Sequence, residues 1–319
     1  MAGLPDEITT EILLRLPAKS LVRFRCVSRF WNSLLTSTSF VEAYSDRSSR
    51  LGHKYLLKYN RNDSSRNEND YTQSEIFLWN PSTNERRRLP QPRFFVSELI
   101  GFGFDPSPSG GCVGDFKVVN IRMEGGFFMS RCSQEEVYSL RRNSWKRISS
   151  VFPCGIDPKC SGNQVVFGNF VCWSYQYDAS LVLFDLVEEV FHQMVLPSSM
   201  RAVTEHISLL DGRLSLIAWK RSCHSREMWI MEEFCAAEPW TKLYTIDLSS
   251  TSSSILRYSP LGFAGSRSVL FVKSSSSGER VVSFNVETAQ FEELEVEDDS
   301  VKSCRLVTYT HSLGFSSEH

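Results

Sequence analysis

A short apolar strand, a polar turn and a second strand recur five times between residues 76 and 294. That recurrence restricts the fold more than any other feature of the chain. Ile76-Phe77-Leu78-Trp79 leads through Asn80-Pro81-Ser82-Thr83-Asn84 to Arg86 and Leu89. Val137-Tyr138 leads through Arg141-Arg142-Asn143 to Trp145 and Ile148. Val182-Leu183-Phe184 leads to Phe191 and Met194, and Val281-Val282-Ser283-Phe284 to Phe291 and Leu294. With the first aromatic as zero, an aromatic returns at +7 in three of these four copies, and Arg86 stands there in the other. An apolar residue follows at +10 in all four. A fifth copy starts at Trp229 and reaches Trp240 and Leu243 through a link four residues longer. The first aromatics, Trp79, Tyr138, Phe184, Trp229 and Phe284, are 59, 46, 45 and 55 residues apart. A strand-built period near fifty points to a propeller, where each unit is one small sheet and its neighbours bury its faces.

The gaps between copies supply further strands. Ile100 to Phe104 and Asp115 to Ile121 fill the first. Val165 to Trp173 turns at Gly168-Asn169, Ile207 to Trp219 at Asp211-Gly212, and Leu261 to Val272 around Gly265. Asp-Gly between alternating apolar runs is a strong two-residue hairpin signal. About four strands per unit result. Cys304 to Leu313 reads as a last strand able to complete the first unit, and His53 to Tyr59 as one further strand.

The first 45 residues differ in kind. Pro5 opens a helix, because its missing N–H falls where no intrahelical partner exists. Asp6 and Glu7 follow at the positive end of the helix dipole. Ile8, Ile12 and Leu16 then share one face, and Pro17 ends the run. A second helix is expected near Ser20, with Leu21 and Phe24 on its apolar side. Ser28 is positioned to cap a third, which carries Phe30, Trp31, Leu34 and Leu35. Phe40 and Tyr44 close the segment. So short a bundle has more large apolar groups than it can hide, and units below about 40 residues rarely stand alone. The surplus needs cover, from the rest of this chain or from another protein.

The order Leu4-Pro5, Ile8, Ile12-Leu13, Leu16-Pro17, Leu21, Arg25-Cys26-Val27-Ser28-Arg29-Phe30-Trp31 and Leu34-Leu35 resembles an F-box. The resemblance implies docking onto the Skp-type adaptor of a cullin-RING (SCF) ubiquitin ligase. Carried over position by position, it assigns adaptor contact to Leu4, Pro5, Ile8, Ile12, Leu16, Pro17, Leu21, Cys26, Val27, Trp31 and Leu34. Residues 76–313 resemble the kelch-like F-box-associated interaction domain of the large plant F-box family. The matches are LWNPSTNERRRLP at 78–90, GFGFDP at 101–106, DFKVVNI at 115–121, MWIMEEF at 228–234 and WTKLYTID at 240–247. In relatives a Gly-Asn-Gly-type hairpin precedes the LWNP strand, where this chain has the polar insert 60–74.

Composition and motifs narrow the alternatives. The chain has 319 residues and a formal net charge of −2, so no global field draws it to nucleic acid or a membrane surface. The N-terminus lacks the pattern of a signal peptide, and no run reaches the ~18 apolar residues needed to span a bilayer. A cytoplasmic or nuclear protein is expected. The nine cysteines contain no Cys-x-x-Cys and read as reduced, mostly buried side chains. The six histidines have no metal-ligand spacing, and no Gly-x-Ser-x-Gly elbow occurs. Gly101-Phe-Gly103 lacks the third glycine of a dinucleotide loop. No catalytic residue, cofactor or metal is assigned.

The expected architecture is therefore α plus all-β: a three-helix F-box at 1–45, a linker with one strand and a polar insert at 46–75, and a kelch-like β-propeller of five to six blades at 76–319. The expected function is that of a non-catalytic substrate-recognition subunit. Its partners are the Skp-type adaptor, cullin and RING subunits through it, and an unknown target protein. The other reading is a ligand-binding or catalytic propeller outside any SCF complex, whose helical head packs only on its own chain.

Overall fold

The computed structural model describes residues 5–37, 39–41, 43, 44, 47, 54–58, 76–80, 85–93, 99–105, 115–124, 131–153, 164–174, 180–197, 200, 203–220, 225–234, 239–247, 257–276, 278–294 and 304–308. Leu4 and the polar insert 60–74 lie outside these residues. The chain separates into two compact units: the helices with the strand pair near residue 80 form one, and the four large sheets form the other.

The helices are α1 (Asp6–Leu14), α2 (Ala18–Arg25) and α3 (Arg29–Thr36). Each begins where a residue with extended backbone presents its carbonyl to the first turn. Thr9 N–H donates to Pro5 at 3.0 Å, and Ser20 and Leu21 N–H donate to Pro17 at 2.9 and 3.2 Å. Pro17 thus ends one helix and starts the next, so α2 begins at Ala18, earlier than the sequence signal near Ser20. Ser28 caps α3 as expected, its Oγ accepting from Trp31 N–H at 3.2 Å.

Strands β1 (Lys54–Lys58) and β20 (Cys304–Thr308) form a two-stranded sheet, as do β2 (Phe77–Asn80) and β3 (Glu85–Arg88). Among the described residues the C-terminal strand therefore pairs with 54–58 and not with the β2–β3 pair. Four antiparallel meanders follow. They are β4 (Leu99–Asp105), β5 (Asp115–Glu124), β6 (Arg131–Ser139) and β7 (Ser144–Arg147); then β8 (Gln164–Phe167), β9 (Phe170–Ser174), β10 (Ser180–Asp185) and β11 (Val190–Val195). The third is β12 (Val203–Leu210), β13 (Arg213–Lys220), β14 (Ser225–Met231) and β15 (Trp240–Asp247). The fourth is β16 (Arg257–Phe263), β17 (Ser268–Ser275), β18 (Gly278–Asn285) and β19 (Gln290–Glu293). Against the expected five to six blades, the described residues form four complete four-stranded sheets and two strand pairs.

The sequence repeat is the outer hairpin of these sheets. Tyr138 stands opposite Trp145, Phe184 opposite Phe191, Phe284 opposite Phe291, and Trp79 opposite Arg86. The three aromatic pairs have ring centroids 5.3, 4.7 and 4.8 Å apart. Such cross-strand pairs contribute roughly 0.2–1 kcal/mol each. In the fifth copy Trp240 faces Met231, and Trp229 faces Lys242, past a register shift after Met228. The hairpin is displaced by two residues. A two-residue slip keeps the side of the sheet, and Trp229, Met231 and Trp240 remain in one core cluster.

Turn chemistry repeats too. Asp185 Oδ1 accepts from Val187 and Glu188 N–H at 2.7 and 3.1 Å, and Asn285 Oδ1 from Glu287 and Thr288 N–H at 2.9 and 3.2 Å. Asn143, Glu189 and Ala289 each close their turn at φ 50°, 59° and 53°. The Asp211-Gly212 hairpin has φ 50° and 77°, the left-handed values that a two-residue turn needs.

Consecutive sheets bury their facing sides. Val119, Ile121 and Val137 of the first meet Val171, Trp173, Val182 and Phe184 of the second. Leu181 and Leu183 meet Leu214, Leu216 and Trp229, and Ile217 and Met228 meet Phe271 and Phe284. Between the first two sheets lies a buried ion cluster. Lys117 Nζ is 3.0 Å from both Asp105 Oδ2 and Glu189 Oε1, and it donates to the Leu186 carbonyl. Lys146 Nζ reaches the other Glu189 oxygen at 2.8 Å.

The GFGFDP segment now has a physical reason. A Cβ on Gly101 would lie 2.6 Å from the Trp173 ring and 2.8 Å from Val171, and one on Gly103 would lie 2.5 Å from Leu186. Bare backbone is what lets β4 approach the next sheet. Gly101→Val is expected to destabilise the four-sheet unit by about 1–3 kcal/mol through overpacking, measured by denaturant unfolding.

Candidate functional site

The helical unit closes a core of its own. Leu13, Ala18, Leu21, Leu35, Phe40 and Tyr44 are buried, with Leu14, Leu16, Phe24, Trp31, Leu34 and Val41 packed partly against them. Tyr44 Oη donates to the Leu16 carbonyl at 3.1 Å, and Arg25 donates to the Leu35 carbonyl at 3.3 Å. The first ties Tyr44 to the turn after α1, and the second ties the end of α2 to α3.

Outside that core a set of apolar side chains faces outward. Ile8 is 47% exposed, Ile12 48%, Val27 67% and Phe30 59%. Ile8 and Ile12 are four apart on α1, hence on one face, while Leu13 turns inward. Phe30 and Leu35 are five positions apart on α3, about 140° around the helix, so burying one exposes the other. Phe24 and Phe30 both approach Trp31, with ring centroids at 5.9 and 6.1 Å. Lys19, Arg23 and Arg29 are exposed among them, and the Arg15–Glu11 pair at 3.7 Å is solvent-facing.

The residues expected at the docking surface divide into three groups. Pro5, Ile8, Ile12, Pro17, Cys26 and Val27 are exposed; Leu16, Trp31 and Leu34 are half-buried beneath them. Leu21 is fully buried and belongs to the core: facing Leu13 and Leu35, it has no surface to offer. Leu4 lies outside the described residues. Phe30 was absent from the expected set, although its distance along α3 from Leu35 points it outward. Among the described residues, no three His, Cys, Asp or Glu are placed to hold a metal. No described helix is long and apolar enough to cross a membrane.

A small helical head with exposed apolar side chains, together with stacked four-stranded meanders, defines a two-part protein of the F-box and propeller class. The profile of the F-box domain matches residues 1–42, and that of the F-box associated beta propeller domain matches residues 65–314. The chain belongs to the F-box-associated β-propeller family. It is similar to the F-box protein CPR1 of Arabidopsis thaliana, with 25% identity covering 98% of this chain and 90% of that one. It is also similar to an F-box/kelch-repeat protein of the same plant, with 26% identity over 76% of this chain and 79% of that one.

Proposed function

We propose that this chain is the substrate-recognition subunit of an SCF ubiquitin ligase in the cytoplasm or nucleus. The helical unit holds the Skp-type adaptor, and the propeller domain holds a target protein. The observation that carries the proposal is the exposure of Ile8, Ile12, Val27 and Phe30 on a unit whose core is already closed. Ile8 and Ile12 share one face of α1, Val27 and Phe30 flank the start of α3, and exposed apolar side chains in this number on so small a unit fit a protein interface. The docking set is Leu4, Pro5, Ile8, Ile12, Leu16, Pro17, Cys26, Val27, Phe30, Trp31 and Leu34, with Leu21 supporting it from beneath. The chain itself performs no bond chemistry. It raises the rate of ubiquitin transfer by holding the target beside the charged conjugating enzyme.

Cysteine footprinting gives a test that needs no substitution. Cys26 is exposed, whereas Cys172 is buried and burial pushes its thiol up to about 12. Alkylation of Cys26 in the full chain is expected to slow on addition of purified Skp-type adaptor, which should co-purify with the chain. Cys172 is expected to stay unlabelled in both samples. A Cys26 labelling rate indifferent to the adaptor, with no co-purification, refutes the proposal.

A further inference from the structure

The turn and edge strand at 141–147 carry four basic residues, Arg141, Arg142, Lys146 and Arg147, all exposed. Lys146 is paired with Glu189. The guanidinium groups of Arg141 and Arg142 make no ion pair or hydrogen bond among the described residues; only their backbone N–H groups are used, toward Asp115 Oδ1 at 2.9 Å and Ser139 Oγ at 3.0 Å. Ser144 follows them after Asn143, is exposed, and opens the outermost strand of its sheet, β7.

We propose that Ser144 is a phosphoacceptor for an arginine-directed, ATP-dependent protein kinase. Such a kinase needs a hydroxyl on extended, accessible backbone, with free arginines two and three residues before it to pair with carboxylates in its cleft. In Arg141-Arg142-Asn143-Ser144 the hydroxyl is exposed at the first position of β7, and the two exposed arginines stand on the turn that leads into it. Among the described residues three other serines stand three residues after an arginine, and each lacks something; Ser64, after Arg61, lies outside the described residues. Before Ser28, Arg25 is committed to the Leu35 carbonyl. Before Ser283, Arg280 is paired with Glu293 at 2.9 Å, and Ser283 lies in β18, hydrogen-bonded on both edges. Ser150 is half-buried, and its Oγ accepts from Phe191 N–H at 3.0 Å.

In the step, Ser144 Oγ bonds to the γ-phosphorus of ATP. The bond to the β–γ bridging oxygen breaks, its electron pair leaves with ADP, and the hydroxyl proton passes to the kinase's general base. The product carries about −1.5 to −2 charge at neutral pH. That cancels about half of the positive charge along this edge and offers phosphate oxygens to Arg141, Arg142 and Lys146.

The test incubates the full chain with magnesium-ATP and the catalytic subunit of cyclic-AMP-dependent protein kinase, and maps phosphate by fragment mass spectrometry. Ser144 is expected to be the dominant site. The variant Arg141→Ala with Arg142→Ala is expected to lower kcat/KM at Ser144 at least tenfold while its unfolding curve is unchanged. Ser144→Ala is expected to remove most of the incorporated phosphate. Phosphate placed chiefly on other serines, or incorporation at Ser144 indifferent to both arginines, overturns the assignment.

Discussion

Replacing Lys117 by methionine lowers the stability of the four-sheet unit by about 3–5 kcal/mol, read as a lower denaturant midpoint at unchanged slope. The side chain is 8% exposed and lies 3.0 Å from both Asp105 and Glu189, themselves 10% and 19% exposed. Methionine fills the space but leaves two carboxylates short of a counter-charge where water is scarce. That loss greatly exceeds the worth of the pair itself. Lys146→Met is the matched control. Its ammonium bonds the same carboxylate at 2.8 Å, yet it is 58% exposed, so about 1 kcal/mol or less is expected.

The same cluster sets an acid limit. Burial pushes the Glu189 carboxyl up, but the hydrogen bonds and positive charges of Lys146 and Lys117 outweigh it, and the group lies below its ordinary value. A carboxylate held low in the folded state contributes stability above its unfolded pKa. That contribution fades as pH falls through the folded value. The unaltered protein is therefore expected to lose stability below about pH 4.5 more steeply than Lys117→Met. Parallel acid-unfolding curves for the two proteins would remove Glu189 from the account.

Much of this was legible in the sequence, and the exceptions have physical reasons. The +7 aromatic is a cross-strand pair, and side chains directly opposite each other must be compatible whatever the loop does. For that reason Tyr138–Trp145, Phe184–Phe191 and Phe284–Phe291 were visible as a repeat. Trp229–Trp240 looked like the same pair and is not. A longer link displaces the contact to Met231, and because the slip is even, the apolar pattern does not register it. The turns hid a second repeat: Ser139, Asp185 and Asn285 are chemically different, yet each accepts backbone N–H bonds directly after the aromatic. Gly101 and Gly103 looked like a fragment of a family motif, and only the position of Trp173 and Leu186 shows what their missing side chains permit. Lys117 gave no signal, because its partners lie 12 and 72 residues away along the chain.

The head was legible to a different degree. Ser28 and the prolines fixed the helix ends almost alone, since caps act locally. Which apolar residues face inward is a three-body matter among the helices. Leu21, matched to a docking position by family resemblance, is core; Phe30, not matched, is surface.

Val27→Asp combined with Phe30→Asp is expected to weaken adaptor binding at least a hundredfold, about 2.8 kcal/mol. Both side chains are more than half exposed, so the carboxylates meet water in the free chain and the helical circular dichroism stays unchanged. In the complex they would be buried without partners, which is where the cost arises. Leu21→Ala is the contrasting variant. It empties a core position at a cost of about 2–5 kcal/mol and is expected to lose binding together with helical signal.

The most direct measurement is a calorimetric titration of purified Skp-type adaptor into the full chain and, in parallel, into the Val27→Asp, Phe30→Asp variant. A saturable one-to-one isotherm for the unaltered chain, with no measurable heat for the equally helical variant, is the predicted result. Equal isotherms for the two, or no binding by the unaltered chain, would contradict the assignment of this apolar surface to the adaptor.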